Sequence, residues 1–134
     1  MVNQESARRV VYIEDDQEMI DLVVLILSRH GFQVQGAQGG RNGLEIVQKD
    51  PPDLILLDLM MPGMDGWEVY QQLKASDTTR NIPVIIITAK AQPVDRVLGL
   101  HIARVDDYIA KPFLPHELVD SIEKVLSRTS QQNA

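Results

Sequence analysis

Cysteine is absent from this chain of 134 residues, and no apolar run approaches the length of a membrane-spanning helix. Without cysteine the protein forms neither disulfide bonds nor thiolate metal ligands, which is typical of proteins from reducing compartments. A membrane span needs about 20 apolar residues, and the first residues lack the apolar core of a secretory signal. These absences predict a cytoplasmic protein that does not enter a membrane.

Basic and aromatic residues are also scarce. Thirteen Lys and Arg stand against nineteen Asp and Glu, which gives a formal net charge of -6. Nucleic acid is bound largely through its phosphates, so an acidic chain without a basic stripe is predicted not to bind it. Aromatic residues make up 4% of the chain. That scarcity, with no phosphate-cradling loop after the first strand, gives a flavin-binding domain little support.

Two kinds of apolar segment alternate along the chain. Short β-branched runs predict strands, and 3.6-residue periodicity predicts helices. The predicted strands are residues 10–13, 32–37, 54–57, 84–87 and 108–109, and the predicted helices are residues 19–30, 40–49, 66–75, 93–101 and 115–127. Each helix returns the chain to the same edge of the sheet, so the strands pair in parallel. The sequence therefore predicts an α/β fold with a doubly wound, five-stranded parallel sheet in a three-layer sandwich.

The domain organisation follows from the same pattern. Residues 1–8 are predicted to be an N-terminal extension, residues 9–127 one domain, and residues 128–134 a flexible tail. No second composition regime or low-complexity linker interrupts the chain, so no effector domain is expected.

Ionisable or polar residues follow four of the five predicted strands. Glu14 and Asp15 follow the first, Asp58 the third, Thr88 the fourth and Lys111 the fifth. Ligands of open parallel sheets bind beyond the carboxyl ends of the strands, so these side chains are expected at one rim. Clustered carboxylates favour a hard cation such as Mg²⁺, and a lysine suits a phosphate oxygen. With no Ser, Cys or His at these ends, Asp58 is the candidate nucleophile.

Each of these residues has a simpler interpretation when it is taken alone. An Asp after a strand usually caps a loop or a helix, a Thr at a strand end reflects strand propensity, and a Lys before Pro is usually on the surface. Four weak signals at the switch-side ends of strands in one fold make coincidence the weaker explanation.

Four motifs, in this order and spacing, resemble the receiver domain of two-component response regulators. They read "YIEDD", "LILLDLMMPGMDGWEV", "PVIIITAKA" and "DDYIAKPF", and the resemblance covers about residues 10–126. It implies a flavodoxin-like (βα)5 fold and a stand-alone phosphorylation switch of the chemotaxis or phosphorelay type.

The resemblance also implies a magnesium-dependent phosphorylation site. Asp58 corresponds to the phospho-acceptor, Asp15 to a direct Mg²⁺ ligand and Glu14 to a ligand that acts through water. The backbone carbonyl of Met60 would complete the protein's share of the ligands.

Further roles concern the response to phosphorylation. Thr88 and Tyr108 occupy the switch positions, Lys111 the phosphate-binding position, and the bond between Lys111 and Pro112 is expected to be cis. The implied partners are a histidine kinase or a histidine phosphotransfer protein, and an unknown downstream protein that binds the face formed by the fourth helix, the fifth strand and the fifth helix. The protein is expected to be a monomer, or a homodimer through that face.

Two other functions use a similar set of residues. An aspartyl-phosphate phosphatase would need a second Asp two residues beyond Asp58, where this chain has Met60, and it would need a cap domain. A degenerate receiver that only scaffolds its partners is disfavoured by the intact set at Asp15, Asp58, Thr88 and Lys111.

Departures from the family pattern lead to two further expectations. Arg104 and Val105 stand where glycine and alanine are usual, which predicts a rearranged loop and an altered output face. Met60 and Lys90 flank the expected path of the hydrolytic water. We therefore expect a switch that is not an enzyme and that dephosphorylates itself slowly.

Overall fold

Strands and helices alternate along the whole part of the chain that the computed structural model describes, residues 7–89 and 92–132. The elements are β1 (Arg9–Glu14), α1 (Gln17–Ser28), β2 (Gln33–Gln38), α2 (Gly40–Lys49), β3 (Leu54–Leu57), α3 (Gly66–Ala75), β4 (Val84–Thr88), α4 (Pro93–Val97), a π-helical segment (Leu98–Ile102), β5 (Asp107–Ala110) and α5 (Pro115–Gln132). Across these residues, no helix has the length and apolar character needed to cross a membrane.

The five strands form one sheet in the order β2-β1-β3-β4-β5, and every neighbouring pair is parallel. Every residue of β3 and β4 is buried. Continuous apolar runs suit strands that are covered on both faces, because no side of the strand meets water. The predicted doubly wound α/β fold is confirmed.

Alternate strand residues pack against two different helical layers. Val10 and Tyr12 of β1 lie with α1 and α5, whereas Val11 and Ile13 lie with α2 and α3. Side chains of successive strand residues point to opposite faces, so one short strand serves both layers. The chain thus builds two apolar cores, and the carboxyl ends of the strands remain at one rim between them.

Carboxylates begin two of the helices that flank this rim. Asp16 caps α1 and accepts a hydrogen bond from the Glu18 N–H at 3.0 Å, and Asp65 caps α3 and accepts one from the Trp67 N–H at 2.8 Å. Such caps satisfy N–H groups that lack a partner within the helix. α2, β3 and α3 have their predicted bounds.

The helix predicted at residues 93–101 is α-helical only as far as Val97. The next turn is a π-helix, closed by a hydrogen bond from the Ala103 N–H to the Leu98 carbonyl at 2.8 Å. A π turn holds one more residue than an α turn. This wider turn lies against β5, where Gly99 contacts the ring of Tyr108.

The end of α5 differs from the prediction as well. The helix continues to Gln132, so the predicted loose tail is wrong for residues 128–132. Its last turns contain neither glycine nor proline to stop a helix, and the Arg128 side chain donates to the Asp106 carbonyl at 3.1 Å. Residues 1–6 and 133–134, which belong to the predicted extension and tail, lie outside the described residues.

The loop before β5 places a side chain in the left-handed region of φ. Arg104 has a φ of 62°. The backbone thus adopts the conformation that glycine favours, although the residue carries a Cβ, and Val105 is buried directly after it. For a residue other than glycine, this conformation costs about 1–2 kcal/mol of free energy.

Replacing Arg104 by glycine should therefore stabilise the protein. We expect Arg104→Gly to raise the free energy of unfolding by roughly 0.5–1 kcal/mol, because relief of strain exceeds the added entropy of the unfolded chain. Urea denaturation measures the change. Glu45→Gly, at an exposed position in the middle of α2, is the control and should lower stability by about 0.5–1 kcal/mol, as glycine does inside helices. Destabilisation by both variants would contradict a strained Arg104.

The start of α3 is fixed by a close approach to the end of β3. A Cβ on Gly66 would overlap the carbonyl oxygen of Asp58 and the Cα of Leu59, both backbone atoms. The Gly66 N–H also donates to the Leu59 carbonyl at 3.0 Å. Backbone atoms yield little, so this contact sets the distance between α3 and Asp58.

Gly66→Ala should therefore destabilise the protein by about 1–3 kcal/mol, the usual cost of overpacking. Gln72→Ala, on the exposed face of the same helix, should change stability by less than about 0.5 kcal/mol. Denaturant unfolding of both variants checks this prediction. Equal stability of the two variants would show that the contact at Gly66 is not restrictive.

Candidate functional site

Three charged side chains from three different strand ends meet at the rim of the sheet. Glu14 is the last residue of β1, Asp58 follows β3 and Lys111 follows β5. The Asp58 N–H donates to the Ile13 carbonyl at 3.0 Å, and the Lys111 N–H donates to the Thr88 carbonyl at 2.9 Å. Each of these two residues is therefore anchored through its backbone to the neighbouring strand.

Lys111 bridges the two carboxylates. Its Nζ lies 2.7 Å from Glu14 Oε1 and 3.2 Å from Asp58 Oδ2. Glu14 is 1% exposed and Asp58 is 4% exposed, so water screens these charges little. The Lys111–Pro112 peptide bond next to the bridge is cis, as predicted.

Burial and mutual repulsion dominate the electrostatics of this cluster. Burial raises the pKa of Glu14 to about 8; the neighbouring carboxylate of Asp58 adds to the rise and Lys111 opposes it. Burial lowers the pKa of Lys111, but the two carboxylates outweigh it, so that this pKa is raised overall. One ammonium group thus compensates two buried carboxylates incompletely, which favours the arrival of a further cation.

A cavity of about 270 Å³ opens beside this cluster. Its lining residues are Glu14, Asp15, Asp16, Asp58, Met60, Ala89 and Lys111. The Met60 N–H donates to Asp58 Oδ1 at 3.1 Å, and the Met60 side chain is 59% exposed at the cavity. The structure therefore brings all four predicted metal-ligating residues and Lys111 to one cavity.

The residues at this cavity fit a Mg²⁺ ion. Glu14 Oε2 is buried and has no hydrogen-bond partner among the described residues, so a metal-bound water would satisfy it. Within residues 7–89 and 92–132, no three His, Cys, Asp or Glu side chains are gathered closely enough to enclose a metal. Mg²⁺ does not need such a cage, because it usually takes one or two carboxylates and keeps several waters.

The two predicted switch residues lie apart from this cavity. Thr88 and Tyr108 are buried, 0% and 2% exposed, and neither lines the cavity. Tyr108 packs with the core under α2 and α3, and its strand neighbour is Ile86, two residues before Thr88. The Thr88 carbonyl, however, holds the backbone of Lys111. The switch positions are thus connected to the charged cluster through β4 and β5.

Three residues near the switch positions or near the charged cluster were not predicted. Arg96 donates from Nη1 to the Tyr108 carbonyl at 2.7 Å, and its guanidinium lies 5.9 Å from the centre of the Tyr108 ring. Gly99 makes room for that ring. The buried hydroxyl of Tyr12 has no hydrogen-bond partner among the described residues. Periodicity could not identify Arg96, since a charged residue on a surface helix is ordinary.

The comparisons with known proteins agree on one family. The response regulator receiver domain matches residues 10–123. The phosphate regulon transcriptional regulatory protein PhoB of Escherichia coli (strain K12) is 41% identical over 124 residues, which are 92% of this chain and 54% of that protein. The chain thus spans about half the length of the curated relatives it matches.

Solved structures give the same result. The N-terminal domain of a response regulator receiver protein from Methanoculleus marisnigri JR1 is 37% identical, with a TM-score of 0.73 over 90% of this chain and 98% of that chain. A CheY-like response regulator receiver domain protein from Methanospirillum hungatei JF-1 is 27% identical, with a TM-score of 0.85 over 95% of this chain and 99% of that chain. This chain, with its charged rim and its doubly wound sheet, belongs to the response regulator receiver domain family.

Proposed function

We propose that this receiver domain is a cytoplasmic switch that accepts a phosphoryl group on Asp58. The donor would be the phosphohistidine of a histidine kinase or of a histidine phosphotransfer protein. The observation that carries this proposal is the contact of buried Asp58 and Glu14 with Lys111, at distances of 3.2 and 2.7 Å, at the mouth of a cavity.

The chemistry requires a rigid nucleophile and local compensation of charge. A carboxylate oxygen of Asp58 would form the new O–P bond while the P–N bond to the donor histidine breaks. Strand β3 holds Asp58 in place, since in-line transfer tolerates little misplacement. Lys111 already contacts Asp58, so its ammonium lies close to where the phosphoryl oxygens would be placed. Bound Mg²⁺, held by Asp15, Asp58 and the Met60 carbonyl, would neutralise the charge on those oxygens.

Phosphorylation would then change the balance between two packings of the switch residues. The phosphoryl group adds charge and hydrogen-bond acceptors at the rim, which would attract the hydroxyl of Thr88. Tyr108 is already packed inward here, with its carbonyl bonded to Arg96 at 2.7 Å. A change at Thr88 would reach Tyr108 through the paired strands β4 and β5 and alter the face of α4, β5 and α5. A downstream protein would read that face, and no enzymatic turnover of a substrate is involved.

A phosphatase is the alternative that uses the same nucleophile. Met60 stands where such an enzyme needs an acid/base carboxylate, and its side chain lines the cavity. The cluster therefore supports acceptance of a phosphoryl group better than repeated hydrolysis of a substrate. A scaffold that is never phosphorylated would have no use for two buried carboxylates around one lysine.

Acetyl phosphate tests the assignment of Asp58. With Mg²⁺, intact-mass spectrometry should show the gain of one phosphoryl group in the natural protein and none in Asp58→Asn, because the amide is not a nucleophile. Asp21→Asn, on the exposed face of α1, is the matched control and should be phosphorylated normally. Loss of the gain when Mg²⁺ is chelated is expected as well. Phosphorylation of Asp58→Asn at an unchanged level would exclude this site.

The Met60 side chain is expected to affect the lifetime of the phosphorylated state. The exposed Met60 side chain at the cavity mouth obstructs the hydrolytic water, so we expect slow self-dephosphorylation. Met60→Asn should accelerate loss of the phosphoryl group by roughly tenfold, because the amide can position that water. Met60→Leu, which keeps the apolar bulk, should retain the slow rate. Lys90, the other residue predicted to slow hydrolysis, lies outside the described residues.

Decay of phosphorylated protein, followed by intact mass after the donor is removed, measures both rates. The hypothesis that the Met60 side chain controls the rate of hydrolysis is wrong if Met60→Leu loses its phosphoryl group as fast as Met60→Asn. It is also wrong if neither variant differs from the natural protein.

A further inference from the structure

A second cavity, of about 370 Å³, lies between α3 and the π-helical segment. Its lining is mostly apolar and aromatic, and it includes Trp67, Tyr70, Asp95, Leu98, Ala103 and Tyr108. None of these residues lines the cavity at Asp58. Pockets for small ligands have this character, with apolar walls and a few polar groups, and typical volumes of about 300–1,000 Å³.

The walls of this cavity are fixed by specific contacts. The Tyr70 hydroxyl donates to the Ala103 carbonyl at 2.9 Å, which ties α3 to the end of the π-helical segment. Trp67 and Tyr70 meet edge to face with ring centres 5.9 Å apart. A binding site that is already ordered loses little conformational entropy when a ligand binds.

The opposite wall is Tyr108, which is held from two sides. Arg96 donates to its carbonyl at 2.7 Å. A Cβ on Gly99 would lie 2.6 Å from Cδ2 of the ring, so the ring rests directly on the backbone of the π turn. The cavity therefore keeps its aromatic wall because the π-helical segment and Tyr108 pack as one unit.

One carboxylate gives the cavity its charge. Asp95 is half-buried and lines the cavity, and among the described residues no basic side chain lines it. Asp95 Oδ2 accepts from the Gln92 N–H at 3.1 Å, and a carboxylate has capacity for further donors. The aromatic rings also attract cations: Lys74 lies 5.5 Å from the ring centre of Tyr70 and Arg96 lies 5.9 Å from that of Tyr108. Neither of these cations lines the cavity.

We propose that this cavity between α3 and the π-helical segment binds a small aromatic amine. The ring of the ligand packs against Trp67, Tyr108 and Leu98, and its ammonium group pairs with Asp95. The volume of about 370 Å³ is sufficient for one aromatic ring with a short alkyl chain. An anion of the same size is rejected by Asp95, and a neutral isostere loses the ion pair.

Trp67 makes the proposal directly measurable, because it is the single tryptophan of the chain and it lines the cavity. The unphosphorylated protein is titrated with 2-phenylethylamine, 2-phenylethanol or 3-phenylpropanoate, and the indole N–H resonance is followed by NMR. The amine should shift this resonance saturably with a dissociation constant on the order of a millimolar, as expected for so small a ligand. The alcohol should bind at least about fivefold more weakly, and the carboxylate weaker still.

Three variants distinguish binding at this site from nonspecific binding to an acidic protein. Asp95→Asn keeps an oxygen that can accept from Gln92, so the helix start remains capped, and it should reduce amine affinity to that of the alcohol. Glu123→Gln on α5 removes the same charge at an exposed position and should leave both affinities unchanged. Ala103→Leu places a larger side chain in the cavity and should weaken the amine and the alcohol together.

The proposal is overturned if the amine binds no more tightly than the alcohol, or if Asp95→Asn and Glu123→Gln behave alike. The proposal is also overturned if none of the three compounds gives a saturable shift. The titration contains neither Mg²⁺ nor a phosphoryl donor, so its outcome is independent of whether Asp58 accepts a phosphoryl group.

Discussion

The rim of this domain depends on one ammonium group held between two buried carboxylates. Lys111 contacts both Glu14 and Asp58, and all three come from different strand ends. Desolvating several charges is costly, and a single cation only partly offsets two anions. The burial of β3 and β4 on both faces supplies the apolar packing that keeps this unfavourable cluster in place. A divalent cation bound at the rim would offset part of this cost in stability.

The second organising constraint is the alternation of side chains along the same strands. Tyr12 packs under α1 and α5, and Glu14, two residues later in β1, points to the same face of the sheet. Tyr108 instead faces α2 and α3. The charged cluster and the side chain of Tyr108 are therefore on different sides of the sheet. They are linked through backbone contacts, such as the bond from the Lys111 N–H to the Thr88 carbonyl. The contact of Arg96 with the Tyr108 carbonyl extends this connection to α4.

Features that depend on local pattern could be predicted from the sequence. The apolar run at Leu54–Leu57 and the polar residues at strand ends are of this kind, because strand direction alone brings the ends together. The π turn at Leu98–Ile102 could not be predicted, since apolar spacing does not distinguish an α turn from a π turn over one turn. The contact of Arg96 with Tyr108 depends on the packing of α4 against β5, and the cavity beside Trp67 depends on that of α3 against the π turn.

The stability of the domain with and without Mg²⁺ tests most directly whether the buried carboxylates form a cation site. Mg²⁺ at ten times its dissociation constant should raise the free energy of unfolding of the natural protein by about 1.4 kcal/mol. In Asp58→Asn the same Mg²⁺ concentration should give a much smaller increase, although the variant remains folded. An equal increase in both proteins, or none in the natural protein, would contradict the assignment of the cluster as the Mg²⁺ and phosphoryl site.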